Sequence, residues 1–87
     1  MAAYRLLIKA SAGRELERLG TKSDRRRIIE RIQALAENPR QHGSEILAGY
    51  ADRFRIRQGN YRVVYLVDEH RREVTIFKVG DRKDVYR

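Results

Sequence analysis

The chain has 87 residues, no cysteine, and a net charge of +8 from 20 Lys and Arg against 12 Asp and Glu. That length holds one domain with a modest core. The lack of cysteine excludes disulfides, thiolate nucleophiles, Cys-ligated zinc and iron–sulfur clusters, and fits a reducing, cytoplasmic setting. No long apolar run opens the chain, so neither a signal peptide nor a membrane span is expected. Most of the cations are arginine, whose planar guanidinium grips phosphate through paired hydrogen bonds. Such a balance points to a polyanionic partner, chiefly nucleic acid. A soluble domain from an arginine-rich proteome is the plainer account of the same charge.

In chain order, Tyr4-Arg5-Leu6-Leu7-Ile8-Lys9 reads as a first strand. Ser11 is a candidate helix cap, with Ala12, Leu16 and Leu19 at helical spacing behind it and Gly20 to end the helix. Thr21 with Asp24, or Ser23 alone, starts a second helix. Its apolar stripe is Ile28, Ile29, Ile32, Leu35 and Ala36, and Asn38-Pro39 stops it. Arg25, Arg26, Arg27 and Arg31 fall largely on the other side. The polar stretch from Arg40 to Gly49 reads as a loop, with Ile46 and Leu47 expected against the core. From Phe54 the period becomes two, and Phe54-Arg55-Ile56-Arg57-Gln58 alternates apolar with polar as a half-buried strand does. Gly59-Asn60 is a hairpin turn signal. Tyr61 to Val67 is apolar on both parities except at Arg62, which suggests a strand covered on both faces. After a turn at Asp68 to Arg72, Val74 to Val79 is the last strand, with Gly80 expected to break it. The expectation is an α+β domain spanning residues 1–87: strand, helix, helix, then a three-strand antiparallel meander.

Arg55 and Arg57, two apart on a strand, point the same way, and Arg62 should lie close by across the turn. Arg82 and Tyr86 follow the last strand. If these groups converge, they form a cationic face with a phenol. Each also has a plainer account. Arg55 and Arg57 can be solvated cations that discourage edge pairing, Arg62 can sit in a structural ion pair, and Arg82 and Tyr86 can belong to a solvated terminus. Arg25 to Arg27 read as a solvated helix face or as a contact to a nucleic-acid backbone. No His/Asp/Glu group has metal-ligand spacing, so neither a metal nor another cofactor is expected. Cations around a phosphate suit RNA, which carries its own nucleophile. The 2′-hydroxyl needs alignment and a countercharge on the phosphorane. Arginine stays protonated and is no ready base. Tyr86 can act as one if nearby cations lower its pKa, or can stack on a base.

Three stretches resemble the RelE/ParE superfamily of bacterial and archaeal toxins. They are Leu47-Ala48-Gly49 leading into Arg53-Phe54-Arg55-Ile56-Arg57; Gly59-Asn60-Tyr61-Arg62-Val63-Val64-Tyr65; and Val79-Gly80-Asp81-Arg82-Lys83-Asp84-Val85-Tyr86-Arg87. The resemblance implies the toxin of a toxin–antitoxin system, a small RelE-like microbial RNase fold, and translation inhibition in a stress response. The activity it implies is a metal-independent, ribosome-dependent endoribonuclease that cuts mRNA in the ribosomal A site, leaving a 2′,3′-cyclic phosphate and a 5′-hydroxyl. Its implied partners are ribosome, mRNA and a cognate antitoxin with an acidic or amphipathic segment, in a toxin–antitoxin hetero-oligomer without a membrane. Carried over by position, Arg55 and Arg57 stand where some relatives have proton-transfer lysines. Arg62 and Arg82 match phosphate-contacting arginines, and Tyr86 matches a substrate-orienting tyrosine. Arg53, Lys83 and Arg87, within the matching stretches, join Arg25, Arg26 and Arg27 as the RNA-binding set. Asp81 stands where many relatives carry histidine, which removes a proton shuttle. The alternatives are a ParE-like inhibitor that binds DNA gyrase and a non-catalytic RNA-binding relative. The full cationic set with the terminal tyrosine favours the nuclease.

Overall fold

The computed structural model describes residues 3–47, Gly49 and residues 52–81. The elements run β1 (Arg5–Ile8), α1 (Ala10–Glu17), α2 (Lys22–Leu35), β2 (Glu45–Ile46), β3 (Arg53–Gln58), β4 (Tyr61–Asp68) and β5 (Glu73–Asp81). The α+β class and the antiparallel meander are as the sequence suggests, and the sheet has two further members. All five strands form one sheet in the order β1-β5-β4-β3-β2. β1 runs parallel to β5, with Leu6 opposite Val74 and Ile8 opposite Ile76. β2 lies antiparallel on β3, with Glu45 opposite Arg55 and Ile46 opposite Phe54. A parallel pair needs a long crossover, and the two helices supply it between β1 and the meander.

Both helices pack on one face of the sheet. Ala12, Leu19, Ile28, Ile32 and Leu35 from the helical side meet Phe54, Ile56, Val63, Tyr65, Val67, Val74, Ile76 and Val79 from the strands. Cross-strand partners Phe54 and Tyr65 stack at 5.7 Å between ring centroids, 18° from parallel, the offset geometry that aromatic pairs favour. The Tyr65 hydroxyl donates to the Pro39 carbonyl, which ties down the exit from α2. Burial pushes its phenol up to about 12.

Helix boundaries follow local chemistry. Thr21 caps α2: its hydroxyl accepts from the Asp24 amide, and the Asp24 carboxylate accepts in return from the Thr21 amide, a reciprocal box that satisfies two end donors. At α1 the cap position is Lys9 rather than Ser11, with no side-chain bond, because the parallel pairing carries the Lys9 amide to the Ile76 carbonyl. Gly20 lies in the turn after α1 at φ +30, where an added Cβ would overlap the Tyr61 hydroxyl. That hydroxyl donates to Asp24 at 3.2 Å, so the glycine lets the interhelical turn sit directly on β4.

Two further expectations are corrected. Ile46 is 57 % exposed: it lies in the edge strand β2, whose register is set by β3, and does not reach the core. Gly80 does not end the last strand, since β5 continues through it to Asp81 opposite Tyr61. A glycine weakens a strand only modestly, and here the ladder to β4 carries it.

At the turn after β4, Glu69 accepts from the Tyr4 hydroxyl at 2.8 Å and pairs with Arg40 at 2.7 Å. The Arg40 hydrogen bond, then that of Tyr4, hold its carboxyl below the usual 4.5. A carboxylate with a lowered folded pKa stabilises the fold above its unfolded pKa, and this contribution vanishes as pH falls through the folded value. Thermal melts of the wild type and Glu69→Gln should therefore differ by a constant amount at neutral pH and converge as pH drops below 4.5. A gap unchanged in strong acid would mean that Glu69 acts through packing alone.

Candidate nucleic-acid interface

The sheet face away from the helices carries the cations. Alternation along β3 sends Phe54 and Ile56 into the core and Arg53, Arg55 and Arg57 to the other side, as a period of two requires. On β4, Arg62 and Val64 are buried and stand outside the core cluster, facing the same way. The hairpin register puts Arg57 directly opposite Arg62, and Arg62 in turn opposite Gly80. The sequence placed Arg62 a few residues from Arg57; the tight Gly59-Asn60 turn makes them partners. Arg62 is only 3 % exposed, so stem and guanidinium both pack against the sheet, and its Nη1 donates to the Tyr61 carbonyl at 3.4 Å.

Like charges directly opposed on one sheet face repel, and one carboxylate offsets part of this. Glu45 accepts from Arg55 at 2.9 Å and lies 3.9 Å from the Arg57 guanidinium. The Arg55 side chain is 12 % exposed and that of Arg57 is 53 %. The Arg55 contact is a well-formed charge-assisted bond. The Arg57 contact is long and solvated, a kind that contributes little. Arg57 therefore presents its charge at the mouth of the site, with Arg62 behind it. The result is a graded row of cations, from the solvated Arg57 to the buried Arg62.

Glu45 was not among the expected site residues. A two-residue strand inside a polar stretch lies below the length that periodicity detects. The helical pattern likewise puts Arg31 only on a polar helix side. Its guanidinium donates to the Gln41 side chain at 2.9 Å and to the Arg57 carbonyl at 3.3 Å, fixing α2 to the strand that bears Arg55 and Arg57. Where β1 stops, Glu15 on α1 takes over the edge of β5, accepting from the Val79 amide at 3.2 Å.

Among the described residues, the other expected cations are not gathered here. Arg25, Arg26 and Arg27 lie on α2, on the opposite side of the sheet. Arg25 donates to the Leu19 and Gly20 carbonyls and closes the turn between the helices, while Arg26 and Arg27 are exposed. Asp81 pairs with Tyr61 and so faces away from Arg62. Arg82, Lys83, Tyr86 and Arg87 lie outside the described residues. The Tyr61 phenol is pushed up by desolvation and then by the Asp24 carboxylate, which keeps it a structural donor. His42 and His70 are exposed. A hollow of about 530 Å³ elsewhere gathers Asp52, Asp68, Glu69 and Glu73 around Arg40 and would repel a polyanion. Among the described residues, no group of three or more His, Cys, Asp and Glu could hold a metal ion.

Affinity for a single-stranded polyanion should fall steeply with salt. Each phosphate neutralised contributes a slope of about −0.7 in log K against log salt, so three arginines predict a slope near −2. Titration of labelled polyuridylate from low to moderate salt checks this, and a flat response would remove the polyanion from consideration.

Comparison with known proteins is consistent across sequence and structure. Residues 6–86 match the family model described as the ParE toxin of the type II toxin–antitoxin system parDE. The chain is 31 % identical to Toxin RelE of Mycobacterium tuberculosis over 84 residues, covering 97 % of this chain and 87 % of that one. The structure resembles the isolated Escherichia coli RelE toxin (TM-score 0.80, 30 % identity, 97 % of this chain and 92 % of that one). It also resembles the archaeal RelE–RelB complex from Pyrococcus horikoshii (TM-score 0.80, 29 % identity, 94 % and 98 %).

Proposed function

Because the chain belongs to the RelE/ParE superfamily of toxins from type II toxin–antitoxin systems, we propose that it is an endoribonuclease that cuts mRNA on the ribosome. The observation that carries this reading is the opposed pair Arg57 and Arg62 beside Arg55 on one sheet face. Such a set holds the non-bridging oxygens of one phosphate and meets the charge that grows on them as a phosphorane forms. It also fixes the phosphate so that the neighbouring 2′-hydroxyl attacks in line. The 2′-oxygen bonds to phosphorus and loses its proton to a base, while the P–O5′ bond breaks and the 5′-oxygen takes up a proton. The products are a 2′,3′-cyclic phosphate and a 5′-hydroxyl. In this scheme Arg82 adds a further cation and Tyr86 serves as the base. The reaction draws on no metal. Arg53, Lys83 and Arg87 extend the track, and Arg25, Arg26 and Arg27 offer a separate basic face to ribosomal RNA.

A cognate antitoxin, with an acidic or amphipathic segment to meet the arginines, is the expected partner, and the cytoplasm the expected setting. Several of the similar structures are complexes of RelE toxins with RelB antitoxins, which supports this reading. The matching family model carries the ParE name, so gyrase inhibition is the rival. Primer extension on a translated message after induction separates them. Discrete cuts in register with the reading frame are expected. Intact message with trapped, cleaved DNA would replace the nuclease by the gyrase inhibitor.

A further inference from the structure

β4 and β5 fall out of simple register at one place. Val64 pairs with Lys78 and Tyr65 with Ile76, so Phe77 is an extra residue on β5, a β-bulge. A bulge re-aims a side chain. Ile76 and Val79 on either side still enter the core, while the Phe77 ring stands outside it, only partly buried. Two cations bracket that ring: the Lys9 ammonium lies 4.3 Å from its centroid and the Arg53 guanidinium 5.3 Å. Arg53 reaches it from β3, across β4, on the same sheet face as Arg55 and Arg57. Phe77 is three residues from Gly80, which faces Arg62, or about 10 Å along the strand. An apolar ring held at the surface between two cations, one short stretch from the arginine pair, has the chemistry of a nucleotide subsite.

We propose that Phe77, with Lys9 and Arg53, forms a second subsite that stacks one unpaired RNA base and holds its phosphate, next to the nucleotide at Arg57 and Arg62. This rests on RNA being the substrate, and it names how the strand is held beyond the scissile phosphate. The incoming base takes the place of one cation on the ring, and that cation moves to the phosphate. The exchange is favourable in magnitude. A cation over an exposed ring is worth about two- to fivefold in an equilibrium constant, whereas a stacked base is worth about fivefold to a hundredfold. Stacking is indifferent to base identity, because every base has a π-face.

The test uses the full chain freed of antitoxin and two labelled probes. One is a 2′-O-methyl RNA hexamer, which lacks the nucleophile, and the other an abasic phosphodiester hexamer of the same charge. Phe77→Leu should weaken binding of the RNA hexamer by about fivefold to a hundredfold and change binding of the abasic one by less than about twofold. Phe77→Trp should keep the affinity. The chain has no tryptophan of its own, so the new indole is a sole reporter, and the RNA hexamer should quench it while the abasic one does not. Wild-type affinity in Phe77→Leu with an unchanged melt, an equal loss on both probes, or an unquenched indole each overturns the subsite. Failure of the nuclease reading looks different. The wild type would bind and Phe77→Trp would quench as described, while the wild type left translated message uncut. A wild type that binds neither probe would refute both.

Discussion

Arg62→Met should lower single-turnover cleavage on programmed ribosomes by a hundredfold or more. A donor aimed at charge that develops only in the transition state is worth about 3 kcal/mol. Methionine keeps much of the buried stem volume and removes the charge. Arg62 is 3 % exposed and opposite Arg57, so losing one of two opposed cations should offset the lost packing. The melting temperature should stay within about 4 °C of wild type. Arg62→Ala should lose the same activity and more stability, since it also leaves a cavity. If Arg57 and Arg62 hold one phosphate, the double variant should lose far less than the product of the single losses. Full activity in a folded Arg62→Met protein would reduce Arg62 to a packing residue.

Tyr86 carries the second large effect, and two substitutions divide its roles. Tyr86→Phe keeps a ring and removes the hydroxyl, whereas Tyr86→Ala removes both. If the phenol is the base, both should lose roughly a hundredfold or more at saturating toxin. If the ring only stacks, Phe should keep most activity and Ala should lose about 1–3 kcal/mol of positioning. The expected outcome is Phe between the two and nearer to Ala, because arginine cannot take the proton and Tyr61 is committed to Asp24. Single-turnover rates against a defined A-site codon give the answer. Full activity in Tyr86→Ala would leave that residue with neither role.

What could be read beforehand was what is local. The Thr21 and Asp24 box, the Gly59-Asn60 turn and the alternation through Arg55 and Arg57 each depend on residues a few positions apart, and each stands where the pattern placed it. Burial on both parities of β4 was also visible in the sequence, and it holds at Arg62, Val63, Val64, Tyr65 and Val67, with Tyr61 and Leu66 half-buried. Long-range pairings were not. Nothing in Leu6-Leu7-Ile8 says that its partner is Val74-Thr75-Ile76, or that the pairing is parallel. The same blindness hid Glu45, whose role exists only because β2 lies beside Arg55. It hid Phe77 too, since a bulge is a mismatch between two strands and leaves no mark on either one. Arg25 shows the opposite error. Three arginines in a row look like one basic surface, but Arg25 is turned inward by the carbonyls at the end of α1.

The place of β5 has a consequence for how the molecule comes into being. Of the described strands it is the last to be synthesised, and it lies between β1 and β4. A ribosome that has reached only the turn at Asp68 has made a β1 with no neighbour and a β4 with an open edge. Contacts of such wide sequence separation form late and slowly, because loop closure must precede them. Gly80 cannot meet Arg62 until that closure, so Arg62 gains its second strand neighbour only in the step that completes the sheet. A nascent or prematurely terminated chain exposes strand edges that the finished sheet covers, which makes it a substrate for chaperones and proteases.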